Sequence, residues 1–188
     1  MGRWEPDARG RLLDAALELY GQRGFEQTTV ADIAERAGLT ERTFFRHFAD
    51  KREVLFAGAG ALEERLVGAV IDARDDLAPI DAAAAGIEAA GAAIAEAGEL
   101  PRQRQAIIAA SPELQERELI KLASLASALA QALRTRGVCE PAASLTAEAA
   151  IAVFRIAFER WLNEGEQRDL ASVMRESLEQ LKAVTAGA

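Results

Sequence analysis

Apolar residues recur along this chain at intervals of three and four, and no stretch keeps the alternation of a strand. The pattern predicts an all-α protein of nine helices. Leu12, Leu13, Ala16, Leu19 and Tyr20 share one face of a first helix over Asp7 to Arg23, which Gly24 stops. Phe25 then turns inward. Val30, Ile33, Ala34 and Ala37 mark a second helix, ended by Gly38, after which Leu39 plugs inward. Thr40 is a good N-cap for a third helix, Glu41 to Phe48, and Glu41 complements its dipole. Phe44 and Phe48 fall on its buried face, and Arg42, Thr43, Arg46 and His47 on another. Two short helices joined by a Gly-containing turn make a helix-turn-helix unit, whose second helix can enter a DNA major groove.

Beyond this unit the spacing predicts a long fourth helix from Asp50 to about Arg74, with Val54, Leu55, Leu62, Leu66, Val67 and Val70 as its stripe. Gly58 and Gly60 weaken it by about 1 kcal/mol each relative to Ala. Residues 50–60 therefore read as a joint between an N-terminal domain, 1–50, and a C-terminal domain, 51–188. Residues 80–97 form an Ala-rich helix containing Gly86 and Gly91. Pro101 opens a short helix to Ala110. Ser111 caps, and Pro112 starts, a long helix to about Arg136, closed by Gly137. Pro141 lies in the next loop. An eighth helix runs from about Thr146 to Asn163, before Gly165, and a ninth from about Arg168 to Val184. The tail Thr185–Ala188 frays.

The last two helices carry seam-like stripes. Ala147, Ile151, Phe154, Phe158 and Trp161 follow one another on the eighth, and Leu170, Met174 (or Val173), Leu178, Leu181 and Val184 on the ninth. The eighth also has Val153, Ile156, Ala157 and Leu162 off its seam, more apolar surface than a one-sided helix needs. Two readings stand. The helix is a central core element, or the pair forms a face that meets its own copy in a four-helix homodimer interface. The second is the one carried forward.

Composition narrows the class. At 188 residues and 50% hydrophobic, the chain suits one or two small domains with a real core. No apolar run is long enough to span a membrane; Glu88 and Glu96 break the longest Ala-rich stretch. Met1–Pro6 has no apolar segment of the signal-peptide kind, which argues for a cytoplasmic protein. Cys139 is the single cysteine and His47 the single histidine, so neither a disulfide within the chain nor a metal site is expected. Net charge is −8, awkward for a DNA binder, but the acid is unevenly placed. Residues 1–56 hold nine Lys/Arg against ten Asp/Glu, and the remainder thirteen against twenty. DNA binding would rest on a local patch of Arg36, Arg42, Arg46, Lys51 and Arg52.

With these residues in view, the chain resembles the TetR family of bacterial transcription regulators. The carrying residues are Gly24-Phe25, Thr28-Thr29-Val30, Ile33-Ala34, Ala37-Gly38-Leu39, Thr43-Phe44-Phe45-Arg46-His47-Phe48 and Lys51. The rest of the chain matches only in helix count and length. The resemblance implies a three-helix DNA-binding head, a larger ligand-binding domain, and a homodimer on a palindromic double-stranded operator. It places Thr43, Phe45, Arg46 and His47 on the recognition helix, and makes Lys51 a phosphate contact. Thr29 and Thr40 open helices two and three, where a hydroxyl and free N–H groups can meet phosphate. One departure is Phe45, where the family commonly has Tyr. The hydroxyl's phosphate bond is lost, but the ring can pack on a thymine methyl or a sugar.

Each candidate has a plainer alternative. Arg42 and Arg46 share a face and can fork onto guanine, or stay solvated, or pair with Glu41 or Asp50. Glu41 can accept from cytosine but suits the helix dipole. His47 can reach phosphate or pack. Arg3 can enter a minor groove as a short arm, or Trp4 can pack on a neighbouring helix. Cys139 has no basic neighbour in sequence to make it reactive. For a small-molecule effector, Arg102, Arg117, Phe154 and Arg155 are the candidates, with Arg104 also able to pair an anion. Small side chains in 80–97 can leave space or simply pack closely. No cofactor is expected. An enzyme would need a nucleophile–base pair or a phosphate loop that the sequence lacks. A sequence-tolerant architectural protein fits poorly with the acidic balance. The resulting expectation is a dimeric, ligand-released repressor.

Overall fold

The computed structural model describes residues 7–164 and 168–187, so Arg3, Trp4, Gly165 and Ala188 lie outside the described residues. Among the described residues there are nine α-helices and no strand. They are α1 (Ala8–Arg23), α2 (Val30–Arg36), α3 (Glu41–His47), α4 (Ala59–Ile71), α5 (Pro79–Glu96), α6 (Leu100–Ala109), α7 (Pro112–Thr135), α8 (Ala142–Glu164) and α9 (Leu170–Thr185). The expected long fourth helix is interrupted. A 3₁₀ turn at Glu53–Phe56 precedes Gly58, and α4 begins only at Ala59. Two glycines within three residues remove the side-chain contacts that would carry a helix through this stretch.

The chain divides into two compact units. The first is Met1–Gly58 with Glu99–Glu118, and the second Ala59–Gly98 with Leu119–Ala188. A single cut at residue 50 is therefore too simple. The segment 51–58, α6 and the first two turns of α7 go with the head. Charged side chains explain why. Arg104 donates to the Leu55 carbonyl at 2.7 Å and to Glu118 at 3.1 Å, and its guanidinium lies 4.8 Å from the centre of the Phe56 ring. Arg117 donates to Glu53 at 2.6 Å, and Arg52 pairs with Glu113 at 3.1 Å. Such anchors are not visible in apolar spacing.

The head's core is built by α1, against which α2, the 3₁₀ turn and α6 pack. Leu12, Ala16, Ile33, Phe44 and Val54 are fully covered, with Phe25 and Phe48 nearly so. Tyr20 stacks edge-on against Phe25 at 5.3 Å and donates its hydroxyl to the Lys51 carbonyl at 2.7 Å. Burial pushes the Tyr20 phenol well above its ordinary range, which keeps it a donor.

In the second unit α5 packs against α4, α8 and α9, and α8 packs against α9. The small residues of α5 serve close approach. A Cβ at Gly86 would stand 2.6 Å from Val70 Cγ2 and 3.0 Å from the Leu66 carbonyl oxygen; one at Gly91 would stand 2.6 Å from Met174 Sδ. At these positions α5 uses its lack of side chain to touch its neighbours rather than to leave room. Arg136, just beyond α7, donates to the carbonyls of Val70 and Ile71 at the C-terminus of α4 and to those of Ala73 and Arg74 after it.

This burial corrects the seam reading of the last two helices. Ile151, Phe154, Trp161, Leu170, Met174 and Leu178 are buried within one chain, and Phe158 and Leu181 pack half-buried on the same core. Phe154 and Phe158 stack at 6.4 Å, Phe158 and Trp161 at 5.9 Å, and the Trp161 indole donates to the Arg168 carbonyl at 2.9 Å. The six buried residues fill the protomer's own interior and are not available to a second copy, whereas Phe158 and Leu181 keep part of their surface exposed. The plainer reading, a core helix, is the observed one.

Two measurements check this packing. Gly86→Ala gains about 1 kcal/mol of helix propensity but meets a backbone oxygen that cannot yield, an overpacking cost of about 1–3 kcal/mol. Chemical denaturation is expected to show a net loss, whereas Gly68→Ala on α4, with nothing within 4 Å, gains stability. The second check is acid. Asp50 is held below the usual carboxylate range first by the Arg52 hydrogen bond, and Glu18 likewise by Arg36. Both groups bind fewer protons folded than unfolded. Their contribution is complete above the ordinary carboxylate pKa of about 4 and is lost as pH falls through the lower folded values. Urea midpoints are expected to be flat from neutrality to about pH 5 and to drop below about pH 4.

Candidate nucleic-acid interface

The interface is built on two capped turns. Thr29 caps α2 with a reciprocal box: its hydroxyl oxygen accepts from the Asp32 N–H at 3.1 Å, and Asp32 accepts from the Thr29 N–H at 2.9 Å. Those bonds, with Arg23 at 3.5 Å, hold the Asp32 carboxyl below its ordinary range. The pattern Thr-x-x-Asp signals such a box in the sequence, and Asp32 is a residue the sequence reading passed over. Its carboxylate occupies the N-terminal groups of α2 that a phosphate would use. Gly38, at φ 66°, turns the chain between α2 and α3. A Cβ there would stand 2.8 Å from the Arg11 guanidinium, which donates to the Ala37 carbonyl.

Thr40 caps α3 by accepting from the Thr43 N–H at 3.2 Å, and the two hydroxyls lie 3.1 Å apart. Phe44 is fully buried and Phe48, the extended residue that ends α3, is 4% exposed. Each helical residue advances about 100°. Burying Phe44 therefore sends Arg42 and Arg46 outward, with Phe45 on one flank and Thr43 on the other. Phe45 is 55% exposed. Arg42, Phe45 and Arg46 line one shallow, open depression.

The five basic residues of the predicted patch divide sharply. Arg36 is bonded to Glu18, at 2.9 Å from its Nε. Arg52 is bonded to Asp50 at 2.6 Å. Lys51 donates to the carbonyls of Phe25 at 2.9 Å and Thr28 at 3.1 Å, and lies 4.2 Å from the Phe25 ring centre. Two of its three donors thus close the loop before α2, and a phosphate would draw on the third. Among the described residues, Arg42 and Arg46 are the members of this patch with neither a hydrogen bond nor an ion pair. The feared pairing of these arginines with Glu41 or Asp50 does not occur. His47 is half-buried, and its Nε2 is covered without a hydrogen-bond partner among the described residues. A phosphate reached by His47 would need that atom uncovered.

The effector candidates are divided between the two units. Arg117 is spent on Glu53. Arg102 lies on α6 in the first unit, and Phe154 in the core of the second. Arg155 is exposed, pairs with Glu159 at 3.1 Å, and borders a shallow groove between α7 and α8 with Leu119, Leu122, Ala123 and Ile151. Arg102 and Arg117 thus belong to the first unit, and Phe154 and Arg155 to the second. Among the described residues no group of three His, Cys, Asp or Glu side chains could hold a metal, and no helix is long and apolar enough to cross a membrane.

Known proteins share both parts of this architecture. A model described as bacterial regulatory proteins, tetR family, matches residues 12–57, and the MftR C-terminal domain matches residues 77–186, more than half of the chain. The regulator TcmR of Streptomyces glaucescens is 45% identical over 62 residues, which are 33% of this chain and 27% of that protein. The chain thus matches only about a quarter of TcmR, and the same holds for the repressor KstR2 of Mycobacterium tuberculosis, 43% identical over 47 residues, 25% of this chain and 24% of that protein. The transcriptional regulator MftR of Mycobacterium tuberculosis is 27% identical over 169 residues, covering 87% of this chain and 84% of that one. In fold, the chain is similar to the SmeT–triclosan complex of Stenotrophomonas maltophilia, with a TM-score of 0.66 and 23% identity over 94% of this chain and 90% of that one. It is similar also to FadR of Bacillus subtilis in complex with stearoyl-CoA, with a TM-score of 0.62 and 19% identity over 92% and 96%. The chain belongs to the TetR family of bacterial transcriptional regulators, with a helix-turn-helix head and a C-terminal domain of the MftR type.

Proposed function

We propose that this regulator binds a two-fold symmetric operator as a homodimer, and that it is a repressor released by a small molecule. The observation that carries the DNA reading is the pair Arg42 and Arg46, partnerless among the described residues, on the outward face of a helix whose opposite face is anchored by Phe44. An arginine with no intramolecular partner gives up little when it meets a base. Its fork matches guanine O6 and N7. Thr40 and Thr43 sit beside them at the helix start, where hydroxyls and backbone N–H groups favour phosphate. The spare donor of Lys51 extends the same reading toward the backbone, joined by Thr29 and His47 where a phosphate displaces Asp32 from Thr29 and the His47 Nε2 is uncovered.

For the homodimer, the buried seam must give way to surface still free on α8 and α9. Leu145 (66% exposed) and Ile156 (47%) lie on the outward stripe of α8 with Ala152 between them, and Val184 (76%) lies outward on α9. A homodimer on a two-fold operator needs its two recognition helices about 34–36 Å apart. Release by a ligand is supported by the neighbours with triclosan and stearoyl-CoA in their descriptions, which points to an apolar effector. To switch the operator-competent fraction from 99:1 to 1:99, the effector must prefer the other state by about 10⁴-fold.

Arg42→Ala and Arg46→Ala are each expected to weaken operator binding by about 1–3 kcal/mol, read by fluorescence anisotropy at fixed salt. Both side chains are exposed, so thermal unfolding should be unmoved; unchanged affinity would remove that arginine from the interface. Leu145→Glu combined with Ile156→Arg is expected to give a folded monomer in sedimentation. A dimer that survives the double change would put the subunit contact elsewhere.

A further inference from the structure

Phe45 is the one large apolar side chain that α3 leaves in solvent. Exposing it forgoes hydrophobic burial. Its ring meets Phe44 edge-on, 5.5 Å between centres at 82°. Phe44 is itself fully buried, so the Phe45 ring is braced from behind by the head's core and holds a fixed attitude. Among the described residues, it shares its depression with Arg42 and Arg46. A benzyl group has no donor or acceptor. It cannot hold a phosphate oxygen or the polar edge of a base.

We infer that Phe45 is a specificity-determining residue that reads the 5-methyl group of a thymine next to a guanine contacted by Arg42 or Arg46. The inference rests on the operator reading above and names its chemistry. The floor of the major groove offers one apolar group, the thymine methyl; every other base-edge feature there is a donor or an acceptor. An apolar ring flanked by two forked donors matches a thymine methyl flanked by guanine O6 and N7. Arg42 is three residues before Phe45 on the helix and Arg46 directly follows it, so neighbouring side chains meet neighbouring bases.

The test uses the full-length protein and a duplex enriched from a random pool. Each thymine of the half-site is replaced in turn by deoxyuridine, in both half-sites together. This removes only the methyl and keeps every hydrogen bond. At one position, wild-type protein is expected to lose about three- to fivefold per half-site. Phe45→Ala, whose side chain is exposed and whose fold is checked by circular dichroism, is expected to bind the thymine and uracil duplexes alike. If every uracil duplex binds wild type as well as its parent, or if the uracil penalty persists in Phe45→Ala, the assignment is wrong while the operator reading survives. If no duplex is enriched, the operator reading itself falls, and this assignment with it.

Discussion

A seven-residue helix does not hold itself together in water; nucleation costs more than so few hydrogen bonds return. α3 exists because Phe44 is fully buried and Thr40 caps its first turn. Everything proposed about DNA depends on that anchorage. Burying Phe44 fixes the rotation of the helix about its own axis, and the rotation decides that Arg42 and Arg46 point outward and that Phe45 stands on their flank. The same aromatic cluster reaches α1 through Arg9, whose guanidinium lies 5.6 Å from the Phe48 ring centre and donates to the Ala57 carbonyl at 2.6 Å. The head's exposed side chains on α3 are therefore presented by a helix whose rotation its core fixes.

The electrostatics follow a division of labour among cations. A chain of net charge −8 cannot rely on bulk attraction to phosphate. Most basic residues near the head serve its architecture. Arg11 closes the α2–α3 turn on the Ala37 carbonyl, Lys51 closes the loop before α2, and Arg52, Arg104 and Arg117 bind α6 and the start of α7 to the segment after α3. Exposed pairs of this kind are individually weak. Arg104 differs, being largely buried. Desolvation pulls its pKa down while Glu118 opposes the shift, so removing Glu118 would strand a charge. Among the described residues, Arg42 and Arg46 are the members of the patch with no competing carboxylate, and the proposed DNA contact rests on them.

Much of the fold was legible because helices advertise themselves by period. Gly24, Gly38 and Gly137 stop helices where the apolar spacing runs out, and each has a positive φ. Thr40 was legible as a cap by its chemistry. Three things were not. The joint after Asp50 looks continuous in hydrophobic pattern, because Val54, Leu55 and Phe56 are buried in a 3₁₀ turn of the head rather than in a longer α4. The stripe from Ile151 to Trp161 looks the same whether it faces the protomer's own α5 and α9 or a second copy, since periodicity records that a face is buried, not by what. The roles of Arg117, Lys51 and Arg104 depend on partners 23 to 64 residues away, and no local spacing encodes them. The exposed Phe45, in contrast, stood out early as an apolar residue where a hydroxyl was expected.

We propose that this acidic protein reads specific DNA through Arg42 and Arg46, partnerless among the described residues, on a helix fixed by Phe44. The most direct measurement is a selection of bound duplexes from a random pool at about physiological salt, run in parallel with wild type and with the Arg42→Ala, Arg46→Ala double variant. The account predicts that wild type enriches a two-fold symmetric, guanine-containing motif with half-sites one helical turn or a small multiple apart, and that the double variant loses it. The same motif enriched by both proteins, or no motif from a folded wild type, would contradict the account.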